Sequence, residues 1–529
     1  MPEKRATPIH APPNILLITS DQQHWTTLGA INPCIDTPNL DRLAAIGTRF
    51  DRAYCPNPTC TPTRASIITG MYPSQHGAWS LGTKLDETIP TLGEHLGKAG
   101  YATHLVGKAH FHPLATNPTQ TSVECQPILR DLDFWRGFTG PWYGFDRVEL
   151  ARNHANESHA GQHYAIWLEE NGLHDWREYF VPPPGTHEGG SKSPKAPYST
   201  SNQPGNRDRA WALPEELHYS VWTAERSIAN IEAAVRAGQP FFTWASFHDP
   251  HPPYAVPEPF ASMYKLEDMP IGRYAPAEFD RMTPWHREAR KPPGEADFSL
   301  LNENGFGIHG GHSHLHDEDQ LRADMACYYG MITLMDREIG RILDALDRLG
   351  LADNTIVLFT SDHGHFLGQH GLTAKAIFNY EDVIRVPFIA RVPGQRETSN
   401  ASNAIQSLVD LAPSLMSAAG LEIPGTMTGV DQTRVWRGES EFARDHALCE
   451  HRFQPNTLHL RTYVDERYKI TLWRDQPYGE LFDLQSDPEE RNNLWNDPEA
   501  QSLKGDLLLR YAYAEMQREP MRYPRIAGA

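Results

Sequence analysis

Cys60-Thr-Pro-Thr-Arg64 places a thiol and a guanidinium one helical turn apart, where the sequence begins to read as a helix. Pro62 presets φ for a first turn, and residues four apart share a helix face, so Cys60 and Arg64 point the same way. The free N–H groups and partial positive charge of a helix N-terminus favour an anion. The stretch therefore predicts a local anion pocket with a sulfur atom beside it. Two further pairs suit a cation. Asp21-Gln22 and Asp362-His363 each close a short apolar run, and carboxylate, amide oxygen and imidazole are donors for a divalent metal.

Those pairs need rigid elements behind them. Asn14 to Thr19 (NILLIT) and the run TIVLFTSDHG from Thr355 read as buried strands with polar residues at their carboxyl ends, where open α/β sheets build sites. Thr37 to Phe50 starts with Thr-Pro and continues with helical spacing at Leu40, Leu43, Ala44 and Gly47. A strand around Tyr101 runs into Gly107-Lys-Ala-His-Phe-His112, and Pro240 to Phe247 is a strand that breaks at HDPHPPY. A long helix follows from Leu321, with apolar residues at Leu334, Ile339, Ile342 and Leu346. The alternation predicts an α/β fold. Residues 1–13 read as an arm, 14–425 as the catalytic unit, and 426–529 as a smaller C-terminal α+β subdomain of short strands and a terminal helix. Two irregular insertions, about 113–213 and 252–316, interrupt the catalytic unit. The first holds an aromatic cluster of Phe134, Trp135, Trp142, Tyr143 and Phe145, able to wall a substrate or simply to pack. The second ends in a histidine-rich stretch, His309 to His316, more adventitious than metal-binding in pattern.

Cys60-Thr-Pro-Thr-Arg64 followed by ASIITGMYPSQHG resembles the sulfatase signature, in which this cysteine is oxidised after translation to formylglycine. The resemblance runs through most of the chain and implies an alkaline-phosphatase-like α/β fold, a large mixed sheet flanked by helices. It implies Asp21, Gln22, Asp362 and His363 as metal ligands, joined by residue 60, with calcium as the usual ion. Many members carry Asp-Asp and Asp-Asn pairs instead, and imidazole suits manganese or zinc better than calcium, so calcium is favoured with manganese as the alternative. The motif containing Lys108 and His110 is similar to the family's Gly-Lys-x-His element, which implies a sulfate-binding lysine and a base. The resemblance further implies His251 as an acid, with His248 as its neighbour, and Lys375 as a second sulfate-binding lysine. Formylglycine-generating enzyme is implied as a partner. The expected reaction is hydrolysis of sulfate monoesters by residue 60, with Arg64, Lys108 and Lys375 on the sulfuryl oxygens.

Composition bounds this reading. A net charge of -19 argues against nucleic acid and anionic membranes as partners, and the resemblance implies a small anionic ester as the substrate. Six scattered cysteines and a polar, proline-rich start without the apolar core of a signal peptide point to the cytoplasm. A homo-oligomer is compatible with this composition. Two rivals stand: a phosphonate monoester or phosphodiester hydrolase on the same scaffold, and a non-catalytic anion-binding protein in which Cys60 stays a thiol.

Overall fold

Alternation along the central strands decides the architecture. In Asn14–Ser20 (β1), Ile15 and Leu17 face one apolar cluster while Leu16 and Ile18 face another, and every residue of the strand is buried. A strand with two buried faces needs cover on both, and helices supply it. The computed structural model describes residues 12–181, 209–292, 294–308, 310, 312–313, 315–375, 377–396, 401–521 and 525–528.

Seven further strands join β1: Thr48–Phe50 (β2), Ala102–Gly107 (β3), Arg147–Leu150 (β4), Phe241–Ser246 (β5), Thr355–Ser361 (β6), Phe388–Arg391 (β7) and Ala401–Ser402 (β8). The order across the sheet is β8-β2-β7-β6-β1-β5-β3-β4. From β6 to β4 all neighbours are parallel, whereas β7 is antiparallel to both β6 and β2. The five parallel strands thus end on one edge. On one face lie Pro38–Ile46 (α1), Tyr219–Ala237 (α4) and the long Glu318–Arg348 (α5), through Leu40, Leu43, Ile231, Ile332 and Ile339. On the other lie Cys60–Thr69 (α2), Gln162–Glu170 (α3) and Leu411–Ala418 (α6), through Ile67, Ile68, Ile166, Leu411 and Leu415.

The expected irregularity of 113–213 is corrected in part. This span contains β4, an edge strand of the main sheet, and α3. Four residues that include an arginine and a glutamate show too little apolar periodicity to be read as a strand; pairing with β3 makes it one. Residues 182–208 of the same span, and 1–11 of the expected arm, lie outside the described residues.

The C-terminal subdomain is built on His446–Arg452 (β9), His459–Asp465 (β10), Tyr468–Trp473 (β11) and Gly479–Asp483 (β12), antiparallel in that order. The run TYVDERYKITLW is two strands, because Asp465 folds the chain back: its Oδ1 accepts from the Arg467 and Tyr468 N–H groups at 2.9 and 2.8 Å. Gln501–Gln517 (α7) covers this sheet with Leu507 and Ala514. Glu450 of β9 reaches the catalytic unit. Its carbonyl accepts from Asn57 Nδ2 at 2.5 Å, and its carboxylate accepts from Ser74 N at 2.7 Å, on either side of α2.

Candidate active site

Five parallel strands deliver their carboxyl ends to one place. Asp21 and Gln22 follow β1, Lys108 and His110 follow β3, Arg152 and His154 follow β4, His248 and His251 follow β5, and Asp362, His363 and His365 follow β6. Backbone stitches hold these ends in register: Asp21 N donates to Asp249 O at 3.0 Å and Lys108 N to Ser246 O at 3.0 Å. The second stitch needs a glycine. Gly107 sits at φ 102°, and a Cβ there would lie 1.9 Å from the Ser246 carbonyl oxygen. Three non-glycine residues beside the site, Gln22, His110 and Ala374, also occupy left-handed backbone, at φ 64°, 57° and 60°.

Asp21, Cys60, Asp362 and His363 form a buried cluster whose donor atoms all lie within 4.8 Å of one another. His363 Nδ1–H donates to the Gly364 carbonyl at 3.0 Å, which turns the Nε2 lone pair toward the cluster. Gln22 Oε1 is buried without a hydrogen-bond partner. Two carboxylates, one imidazole lone pair and one orphaned amide oxygen fit a divalent cation. Asp362 is oriented by its neighbours, Oδ1 accepting from the N–H groups of Gln22 and His363 at 3.0 Å each and Oδ2 from Arg64 Nε at 2.9 Å.

Cys60 opens α2, with the fully buried Arg64 on the same face as expected. Its Sγ lies 3.2 Å from His363 Nε2 and 3.7 Å from Asp21 Oδ1, and accepts from Lys375 Nζ at 3.3 Å. Burial alone would raise this thiol, but Lys108 and then Lys375 outweigh it and hold Cys60 below the ordinary thiol range. Arg64 is more committed than its sequence position implies. NH1 donates to Lys108 O at 3.0 Å and to Ser246 Oγ at 2.7 Å, and only NH2 is left without a hydrogen-bond partner.

Lysines and histidines close the pocket. Lys108 Nζ pairs with Asp21 Oδ2 and lies 2.8 Å from His154 Nε2, while the other nitrogen of His154 bonds Glu157 Oε1 at 2.9 Å. The His154 ring stacks on His251 with centroids 3.7 Å apart. His251 Nδ1 donates to the Pro252 carbonyl at 2.5 Å, so its Nε2 lone pair faces Lys375 Nζ, 3.4 Å away. Desolvation, followed by the charges of His154 and the two lysines, holds His251 well below the usual imidazole range, Asp21 opposing. His110 is held down likewise, by burial first and Arg152 second. Arg152 NH2 donates to His110 Nε2 at 2.9 Å, and Glu124, 3.4 Å from Arg152 Nε, accepts from Phe111 N at 3.0 Å. An arginine cannot accept, so the ring proton of His110 belongs on Nδ1, which is buried and unpartnered.

Arg152, His154 and Glu157 escaped the sequence reading, since they follow the strand that had no periodicity. The clustering of Arg, Asn, His and Glu in 152–157, next to a glutamate-bearing run, is the only hint they leave. Other candidates lie elsewhere. His112 bonds the Tyr143 hydroxyl at 3.1 Å, and His248 Nε2 donates to Ala151 O at 2.9 Å. Trp142, Tyr143 and Phe145 are core residues packed around Phe111 and Trp244, while Trp135 packs in the core against the partly buried Phe134 and Phe138. Asn156 is buried. Cys55 is a free thiol, so no bridge joins it to Cys60. Of His309 to His316, residues 309, 311 and 314 lie outside the described residues. Among the described residues no helix is long and apolar enough to cross a membrane.

A carboxylate–imidazole cluster, a cysteine in the first turn of a helix and flanking lysines at the carboxyl edge of a mixed sheet define an alkaline-phosphatase-like α/β hydrolase. The family profile described as Sulfatase matches residues 13–421, and that described as N-sulphoglucosamine sulphohydrolase, C-terminal, matches residues 368–517. The chain is 30% identical over 519 residues to the multifunctional alkaline phosphatase superfamily protein PehA of Trinickia caryophylli, covering 93% of each. It is 30% identical over 498 residues to the arylsulfatase of Clostridium perfringens, covering 92% of this chain and 91% of that one. The phosphonate monoester hydrolase of Agrobacterium radiobacter superposes with a TM-score of 0.75 at 26% identity, over 97% of this chain and 98% of that one. The chain belongs to the sulfatase family of sulfuric ester hydrolases.

Proposed function

We propose that the protein hydrolyses small sulfate monoesters with residue 60 as the nucleophile, after conversion of Cys60 to formylglycine by a formylglycine-generating enzyme. One observation carries the reading: Cys60 Sγ sits at a helix N-terminus within 3.3 Å of both His363 Nε2 and Lys375 Nζ, where a cation donor and an anion-binding cation meet. A divalent cation held by Asp21, Gln22, Asp362 and His363 would supply Lewis-acid activation, as formylglycine would supply a geminal diol in place of the thiol. Calcium or manganese suits this donor set.

The chain's own residues do the rest. Lys108 and Lys375 flank residue 60 and hold the sulfuryl oxygens where charge redistributes, and Arg64 NH2, 3.6 Å from Asp21 Oδ2, adds to them. Arg64 chiefly fixes Asp362 and the ends of β3 and β5. Lys375, with its proton shared toward the neutral His251, delivers that proton to the departing alcohol oxygen. His110 and His154 line the far side, oriented by Arg152 and Glu157. A reducing, cytoplasmic setting agrees with six unpaired cysteines.

The test is peptide mass spectrometry over residue 60 together with turnover. The peptide is expected to be lighter by the difference between thiol and aldehyde, and Cys60→Ala is expected to abolish hydrolysis of an aryl sulfate while keeping the native unfolding midpoint. An unmodified thiol in fully active protein would refute it. A second reading, phosphonate monoester or phosphodiester hydrolysis, is favoured by the likeness to the Agrobacterium enzyme and by the Asp-Gln and Asp-His pairs. The ratio of kcat/KM for phenyl sulfate to that for a phenyl phosphonate monoester decides between them.

A further inference from the structure

A glutamine in a cation site has an ambiguity that a carboxylate lacks. Turned by half a rotation, its amide presents N–H groups where a lone pair is needed. We propose that His365 is a positioning residue for this ligand, supplying the acceptor that the Gln22 amide N–H needs when Oε1 faces the donor set of Asp21, Asp362 and His363. The inference rests on the reading of Gln22 as a cation ligand.

Gln22 Nε2 lies 2.8 Å from His365 Nδ1. An amide nitrogen only donates, so Nδ1 is the lone-pair nitrogen and the ring proton is on Nε2, which lies 2.9 Å from the Tyr254 hydroxyl and donates to it. The opposite orientation would put the ring proton on Nδ1, with the Tyr254 hydroxyl donating to Nε2, and would turn the amide N–H groups, which cannot ligate a cation, toward the donor set. The ring itself is held flat on Tyr328, with centroids 4.9 Å apart and planes 13° apart. Tyr328 also grips the glutamine backbone, its hydroxyl donating to Gln22 O at 2.9 Å and accepting from His24 N at 2.8 Å. Gln22 N donates to Asp362 Oδ1 at 3.0 Å, and its left-handed φ of 64° turns the side chain back across the end of β1. Gln22 and His365 are each only 1% exposed. With Nε2 engaged, Oε1 is the one buried atom of this amide without a partner. A cation beside it would complete the set, and the outer residue that fixes an inner ligand then controls affinity.

The probe is Mn²⁺ or Ca²⁺ titrated calorimetrically into the full-length, chelator-stripped protein. His365→Phe keeps a flat ring for Tyr328 but removes the acceptor, and is expected to weaken binding about 10–100-fold. His365→Asn offers an amide oxygen near the former Nδ1 and is expected to restore affinity to within a few-fold of native. In a Gln22→Glu background the ligand is symmetric, so His365→Phe is expected to have no further effect. Tyr254→Phe leaves the ring untouched while removing the acceptor of its Nε2–H; it is expected to weaken binding several-fold and serves if His365→Phe does not fold. Native affinity in His365→Phe or in Tyr254→Phe, with Gln22→Ala weakened, would overturn the positioning role alone. Native affinity in Gln22→Ala would overturn the ligand reading beneath it.

Discussion

Replacing His251 by alanine is expected to separate substrates by the acidity of the alcohol they release. The ring's own proton is tied to the Pro252 carbonyl at 2.5 Å, and its Nε2 lone pair faces the Lys375 ammonium at 3.4 Å. Desolvation and the neighbouring cations keep the imidazole neutral, so the proton available to the leaving oxygen is the one between Lys375 and His251. General acid catalysis is worth about 10²–10⁴-fold where the leaving group needs a proton, or about 2.7–5.4 kcal/mol. That loss is expected for an alkyl sulfate, whereas a nitrophenyl sulfate, which departs readily as an anion, is expected to lose little. Lys375→Met is expected to show the same dependence plus a uniform loss on every ester, because Nζ also lies 3.3 Å from Cys60 Sγ beside the sulfuryl pocket. Since both side chains handle one proton, the double variant should be about as slow as Lys375→Met alone. The coupling energy should then equal nearly the whole His251 effect. The assay is kcat/KM for the two single variants and the double across sulfate esters of graded alcohol acidity. Losses for His251→Ala that are equal along the series, or that multiply with those of Lys375→Met, would refute the shared-proton argument.

Metal removal should be reversible and should register in stability as well as rate. Chelation is expected to abolish turnover and lower the unfolding midpoint, since a ligand present at one hundred times its dissociation constant stabilises the folded chain by about 2.7 kcal/mol; an unchanged midpoint and rate would exclude a cation in the Asp21–Asp362 cluster. Glu480, a buried residue of β12, is pushed up to about 7 by burial, with Lys469 opposing. Its folded-state value is raised, so the folded chain keeps a proton that the unfolded chain loses above its ordinary value of 4.5, and stability should fall as pH rises through that window and level off above 7. The whole effect is about 3 kcal/mol, and Glu480→Gln should remove it; parallel denaturation curves for the two proteins at pH 5 and pH 8 would count against this.

What could be read from residues alone follows a physical rule. Asp21, Gln22, Asp362 and His363 stand out because each pair ends a run that is apolar on both faces of a parallel strand, and polar atoms there can only be at the sheet's edge. Cys60 and Arg64 stand out because helix geometry fixes the relation of residues four apart. Lys108, His110, His251 and Lys375 could be placed only by likeness to the family, and the structure brings all four to the same edge. Arg152, His154 and Glu157 had no such route. They depend on β4, four residues long, whose strand character comes from pairing with β3 and not from its own composition. The hairpin at Asp465 leaves little trace in the sequence for a related reason: a side-chain oxygen accepting from two N–H groups turns the chain without glycine or proline.

The same accounting explains why the site looks costly. Asp21, Arg64, Lys108 and Asp362 are fully buried ions, and each such ion carries a desolvation penalty of several kcal/mol that pairing only partly offsets. Left-handed backbone at Gln22, His110 and Ala374 adds about 1–3 kcal/mol each. Apolar residues of similar volume would give a more stable protein. A network kept at that disadvantage serves chemistry, and its weakest members energetically should be those that a bound cation and a bound anion satisfy: Gln22 Oε1, Arg64 NH2 and the Cys60 sulfur. Stability gained on binding therefore belongs in these atoms first, and substitutions elsewhere in the core should leave it unchanged.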